Sequence, residues 1–442
     1  MKLHLKLTHR SRLLRPSCAA LALVALALPA RLPSAQAAPI TITYLNQEQP
    51  IPLIQSTVNT FNQTHPNIHV VLQNLPFDQL FPQIEVRLGS GSSSPDVIDV
   101  DAPVTAAYAV QGFLTPLDSY FSKADLAQFV PASLSTSYYL GHLLAPPING
   151  SSQLLYYNKD LLKKAGVPFP PNDVSKRLTW EQLVTNAKKA QVQAGKNVTA
   201  WGFVIDQIDR PYQLLPLPES LGGQPISKDG LHASGIVNSP AWIKAFTWYS
   251  NLFNTWKISP IGATPAQTPN LFSSGHAAYF WGGPWNVGTF QAAKGLHWGV
   301  APTPYFAGGK AVTPNDSWHL GVNRHSAHIA AAAEFVRWLT VGPGNDIFVK
   351  GNGQVPSLLR EITRINQDSA YATFPSNVLR LTSYEAQHTA IPRPVTPGFN
   401  EYQDILTRAF DNIRSGQSSK AALDAAAAQI DRAMAKYARA PH

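Results

Sequence analysis

The chain is 442 residues long, with one cysteine and a formal charge of +9. Six of its 35 Lys and Arg fall within the first 37 residues, which hold no acid, so the rest carries 29 − 26 = +3. That balance argues against a nucleic-acid or membrane-surface partner recognised by bulk charge, and the lone thiol excludes internal disulfides and multi-cysteine metal sites.

The first element is a leader. Lys2, Lys6, Arg10, Arg12 and Arg15 precede the apolar run Ala19–Pro29, and Ala35-Gln36-Ala37 supplies a small-x-small cleavage pattern. The run is too short to span a bilayer, so residues 1–37 read as a cleavable signal peptide, with the mature chain starting near Ala38. Cys18 lies before the apolar run and has Arg15 three residues ahead, which does not fit a lipid-anchor signal. The expectation is an exported, periplasmic protein with no membrane anchor. Its 442 − 37 = 405 residues exceed one comfortable core, so two domains are expected.

Strand and helix signals then alternate. Pro39–Leu45 is a β-branched run, and Leu53, Ile54, Val58 and Phe61 share a helical face that ends at His65-Pro66. "NIHVVLQNL" reads as a second strand, Leu80, Ile84 and Leu88 mark a second helix, and "DVIDVD" is a third strand. This spacing predicts βαβ units with parallel strands, whose carboxyl ends are where ligands bind. Asn46-Gln47-Glu48 and Asp101 stand at two such ends.

From Asn149 the layout changes. "SQLLYYNKDLLKKAGVP" predicts a strand and a short helix closed by Gly166 and Pro168, and Thr179 with Gln182 forms a capping box for the next helix. Ser239–Phe253 is helical, and Leu423, Ile430, Met434 and Tyr437 mark an amphipathic C-terminal helix. Pro- and Gly-rich joints at 146–150, 301–309 and 340–345 imply three crossings between two lobes. The expected division is 38–148 and 307–342 in an N-terminal lobe, with 149–306 and 343–442 in a C-terminal lobe.

Five stretches carry a resemblance. "FNQTHPNIHVVLQ", "GSSSPDVIDVDAPVTAAYAVQGFLTPLD", "LLYYNKDLLKKAGV" with "TWEQLVTNAKKA" behind it, and "GHAAYFWGGPWNVGTF" occur in that order, followed by "RPVTPGFNEYQDILTRAF". Together they resemble family 1 extracellular solute-binding proteins, the carbohydrate-type receptors of ABC importers, related to maltose- and trehalose/maltose-binding proteins. The resemblance covers essentially the whole mature chain. It implies an α/β fold of two lobes on a three-segment hinge, with the ligand enclosed between them. It also implies no cofactor, no chemistry on the ligand, and delivery of the loaded form to a membrane permease. A monomer is expected.

A sugar presents hydroxyls and C–H faces, so a site needs planar hydrogen-bonding groups and aromatic plates. Trp285 follows Gly282-Gly283-Pro284 at a strand-to-helix turn, and the resemblance makes it the stacking residue; the alternative is a core tryptophan. Trp281, inside the strand, is expected to be buried. Gln47 and Glu48 resemble the family's hydroxyl-binding residues or form a solvated loop. Asp99 and Asp101 share a strand face, and the resemblance makes Asp101 a hydroxyl acceptor at the cleft. Asp96, after Pro95, reads as a turn or cap residue. Ser151 or Ser152, in the first crossing, is a ligand contact or part of a plain hinge turn. Trp318 resembles a second aromatic wall. Arg393 resembles an arginine that forks to adjacent hydroxyls, or it pairs with the C-terminal helices.

Catalytic and metal signals are thin. Thirteen histidines are scattered without HExxH, His325 and His328 are expected on a helix surface, and there is no GxSxG or P-loop. Neither a metal nor a cofactor is expected. Two rivals to a sugar receptor stay open. One is a receptor for glycerol phosphate or a phosphodiester, for which no basic cluster shows beside the motifs. The other is a secreted glycoside hydrolase using paired carboxylates.

Overall fold

The computed structural model describes residues 38–47, 51–315, 317–352 and 355–439. The expected signal peptide, residues 1–37, and Glu48 lie outside these residues.

The first five elements follow the sequence periodicities: β1 (Ile40–Gln47), α1 (Ile51–Thr64), β2 (Ile68–Leu75), α2 (Phe77–Gly89) and β3 (Val97–Asp101). β1 pairs in parallel with both β2 and β3, which requires the crossovers that α1 and α2 provide. α1 buries Ile54, Val58 and Phe61, and α2 buries Leu80, Ile84 and Leu88, each set lying one helical turn apart.

The second half builds another sheet. Its elements are β4 (Leu154–Asn158), α3 (Lys159–Lys164), α4 (Trp180–Ala190), β5 (Val192–Ala194), β6 (Asn197–Ile205), α5 (Pro240–Phe253), β7 (Ala277–Gly282) and β8 (Trp298–Pro302). The strand order is β8-β4-β7-β6-β5, with only β6 and β7 parallel. The Thr179–Gln182 capping box is present, with reciprocal bonds of 3.2 and 2.9 Å. Trp281 on β7 is fully buried, its ring 4.8 Å from that of Trp180 at 69°.

The chain then returns to the first sheet. β9 (Trp318–Val322) lies antiparallel to β3, giving the order β9-β3-β1-β2 and setting Trp318 opposite Asp101. α6 (Ile329–Thr340) and α7 (Pro343–Asn352) follow, and α7 packs on α1 and α6. α8 (Phe399–Arg414) and α9 (Ser419–Met434) pack on each other and on α5. The first expected joint, residues 146–150, packs against later parts of the chain: Pro147 bridges to His319 on β9, and the Gly150 amide donates to the Val355 carbonyl at 2.7 Å.

One local expectation fails. His325 and His328 are exposed in the turn before α6, not on a helix. Side-chain oxygens of Asn323 and Ser326 accept their backbone amides, both at 2.9 Å, and hold that turn open.

Candidate functional site

The strand ends converge. In the first sheet Gln47 and Asp101 end β1 and β3, while Trp318 begins the antiparallel β9 beside them. In the second sheet Leu154 at the start of β4 pairs with Gly282 at the end of β7, and Ile205 at the end of β6 pairs with Trp281. Ser151, Asp206 and Trp285 therefore flank one edge of that sheet.

Asp101 joins the two sets. Its carboxylate is gripped by both terminal nitrogens of Arg393, the second at 3.2 Å, and Arg210 Nη2 donates to the same oxygen at 3.1 Å. The Arg393 guanidinium lies 4.9 Å over the Tyr212 ring, and that of Arg210 lies 4.8 Å over the Phe77 ring. The Tyr212 hydroxyl shares a 2.7 Å hydrogen bond with Ser151, and its ring centre is 6.0 Å from that of Trp285. Burial pushes the Tyr212 phenol well above its ordinary range.

Trp285 is half-buried and lies within a 3-10 turn (Pro284–Asn286) opened by proline. The two glycines before it serve space, not an unusual backbone angle, since Gly283 has φ −90° and ψ 169°. A Cβ on Gly283 would lie 1.9 Å from the Trp285 ring, and one on Gly282 would lie 2.8 Å from the Asp206 carboxylate. The indole N–H of Trp285 donates to Asp206 Oδ2 at 3.0 Å.

The other expected residues divide. Trp318 is mostly buried, stacked on Phe81 at 6.2 Å and edge-on to Phe77 at 6.0 Å; Phe77 is the exposed ring of that group. Ser152 is fully buried and its hydroxyl donates to the Thr382 carbonyl at 3.4 Å. Gln47 is buried, and its amide donates to Asp99 at 3.0 Å. Asp96 ties strands together, accepting the Thr43 amide at 2.7 Å and the Ser326 hydroxyl at 2.5 Å.

Asp99 is occupied too, by Tyr44 Oη at 2.5 Å, Asn46 Nδ2 at 2.8 Å and Gln47 N. Burial lifts its pKa to about 7 despite these donors. Asp99 and Asp101 are thus both engaged by fixed partners, which does not fit a paired acid and base. Among the described residues no group of three or more His, Cys, Asp or Glu could hold a metal, and no helix is long and apolar enough to cross a membrane. Sequence reading missed Phe77, Asp206, Arg210 and Tyr212. The signal for Arg210 and Tyr212 was present, since Arg210-Pro211-Tyr212 follows β6 as Pro284-Trp285 follows β7.

The sequence profile described as "Bacterial extracellular solute-binding protein" matches residues 47–341. A Brucella abortus protein described as a binding protein is 25% identical over 390 residues, covering 87% of this chain and 90% of its own. The sn-glycerol-3-phosphate-binding periplasmic protein of Rhizobium meliloti is 24% identical over 375 residues, covering 77% and 81%. Among solved structures, the GacH receptor of Streptomyces glaucescens superposes with a TM-score of 0.72 at 25% identity, over 90% of this chain and 98% of that one. GacH was solved unliganded and with acarbose, a ligand also carried by a maltose-binding protein of Salmonella typhimurium.

Proposed function

The chain belongs to the bacterial extracellular solute-binding protein family, and from that premise we propose that it captures a sugar, oligosaccharide or sugar alcohol and delivers it to the permease of an ABC importer. The observation that carries this reading is the half-buried Trp285 in a linked cluster with Tyr212, Ser151, Arg393 and Asp101, in which Asp101 ends a strand of the first sheet while Ser151 and Trp285 flank the second. An aromatic plate next to forked donors and a carboxylate is what a neutral polyhydroxy ligand needs. The acarbose bound by GacH is consistent with it. The receptor acts in the periplasm as a monomer without a membrane anchor, and leaves its ligand chemically unchanged.

The proposed lobes are 38–148 with 307–342, and 149–306 with 343–442. The packing of α7 on α1 and α6 favours moving residues 343–352 to the first lobe. Mass spectrometry of ligand co-purifying with the protein, followed by titration, tests the reading; intact saccharide or polyol bound one-to-one is expected. Steady release of smaller sugars on long incubation would indicate a hydrolase instead.

A second reading has one specific support. Arg210 and Arg393 converge on a single carboxylate, a basic pair that suits glycerol phosphate or a phosphodiester. Titration with sn-glycerol 3-phosphate and glycerol separates the two: preference for the phosphate by more than about ten-fold, or ~1.4 kcal/mol, favours the anion.

A further inference from the structure

Asp206, the first residue after β6, touches Trp285 at the indole N–H edge. Its own place is fixed without Trp285. Its amide donates to the Trp281 carbonyl at 3.0 Å, and its carbonyl accepts the Thr268 hydroxyl at 2.5 Å. One carboxylate oxygen, Oδ2, then receives both the Trp285 indole N–H at 3.0 Å and the Asn286 amide at 2.8 Å. The Trp285 ring lies on Gly283, where any Cβ would overlap it. A carboxylate that holds the indole edge and a glycine that seats its face leave the ring little freedom to rotate.

We propose that Asp206 is the positioning residue that aims Trp285 at the cleft, so that affinity depends on a side chain the ligand does not contact. The functional half of this rests on Trp285 being a ligand wall, as read above. The geometry favours a charge-assisted acceptor, because an ionised carboxylate holds an N–H more strongly than a neutral group does. Among the described residues the titratable group facing Asp206 is Tyr156, whose hydroxyl donates to the Gly283 carbonyl at 3.1 Å. Burial pushes that phenol far upward, so it is silent near neutral pH. Burial also raises Asp206, to about 6.

The experiment uses ¹⁵N-labelled full-length mature protein, with the indole N–H resonance of Trp285 assigned through Trp285→Phe. In the wild type this resonance should titrate with a midpoint near that of Asp206. Asp206→Ala should shift it and speed its exchange with water, Asp206→Asn should keep it protected from exchange but abolish its titration, and Gly283→Ala should displace it with Asp206 intact. A resonance unmoved in Asp206→Ala overturns the proposal; should that variant not fold, an Asp206→Asn resonance that titrates just as the wild type does overturns it instead, because Asp206 is then not the group the ring feels. In parallel, maltose, maltotriose and sn-glycerol 3-phosphate are titrated into each protein. For any that binds, Asp206→Ala should lose about ten-fold, with no further loss on a Trp285→Ala background. Equal loss on both backgrounds would mean that Asp206 acts elsewhere. Unchanged binding in Trp285→Ala would sink the ligand-wall reading while the resonance still judges the hold of Asp206 on the ring.

Discussion

Trp281 and Trp285 are four residues apart and should fail in opposite ways. Trp281 is fully buried between the second sheet and α4, its ring edge-on to Trp180. Truncating it to alanine leaves a cavity that its neighbours fill only in part, which costs about 3–5 kcal/mol of stability. Trp285 is half-buried, and removing it strands no buried charge, because Asp206 keeps the Asn286 amide as a donor. Its loss should cost the fold about 2 kcal/mol, the value of one hydrogen bond to a charged group. Ligand binding is another matter. A sugar face covering about 50 Å² of the indole contributes ~1.3 kcal/mol at ~25 cal/mol per Å², close to the ~1.4 kcal/mol that changes a dissociation constant ten-fold. Thermal melts and calorimetric titrations with the co-purified ligand read both effects. Trp285→Ala should bind at least about ten-fold more weakly with a small fall in melting temperature; Trp281→Ala should melt far lower. If Trp285→Ala melts far lower and binds normally, the plate assigned to the ligand belongs to the core.

Asp101→Asn leaves the guanidiniums of Arg210 and Arg393 facing each other without a countercharge, so both stability and affinity should drop, the former by about 3–5 kcal/mol; a melt and a titration at matched salt check this. Arg393→Lys should not rescue an Arg393→Ala defect, since an ammonium cannot grip two carboxylate oxygens in a planar fork. Asp99 should make the fold more stable in mild acid: its pKa rises from 3.8 to about 7 on burial, so the folded chain keeps a proton that the unfolded chain releases. That contribution is complete below 3.8 and fades as pH rises through about 7. Unfolding measured across that window should show stability falling with pH, with a shallower slope in Asp99→Asn. Solution scattering should show a smaller radius of gyration at ligand saturation, because a ligand that contacts both lobes favours their closed arrangement; an unchanged radius argues against hinge closure.

What could be read from the sequence follows from the range of each interaction. Apolar spacing places α1 and α2, a capping box starts α4, and Pro284 opens the turn at Trp285, all because their causes lie within a few residues. Strand-end logic put Gln47, Asp101 and Trp285 at or just past the ends of strands, as they are, and applied equally to β6 it would have pointed to Arg210 and Tyr212. Pairing across the molecule had no local signal. Asp101 finds Arg210 at a separation of 109 residues and Arg393 at 292, while Trp285 finds Asp206 at 79. For that reason Asp101 and Arg393, each read separately as reaching toward a ligand, turn out to hold one another. A ligand entering between Trp285 and Arg393 must either use the faces of this ion pair that remain or open it. Opening would expose a buried carboxylate and two guanidiniums at once, which is costly unless the ligand replaces their hydrogen bonds. A polyhydroxy ligand can do so, since each hydroxyl both donates and accepts. An apolar molecule that fits only the Trp285 and Tyr212 rings cannot, and the site should reject it.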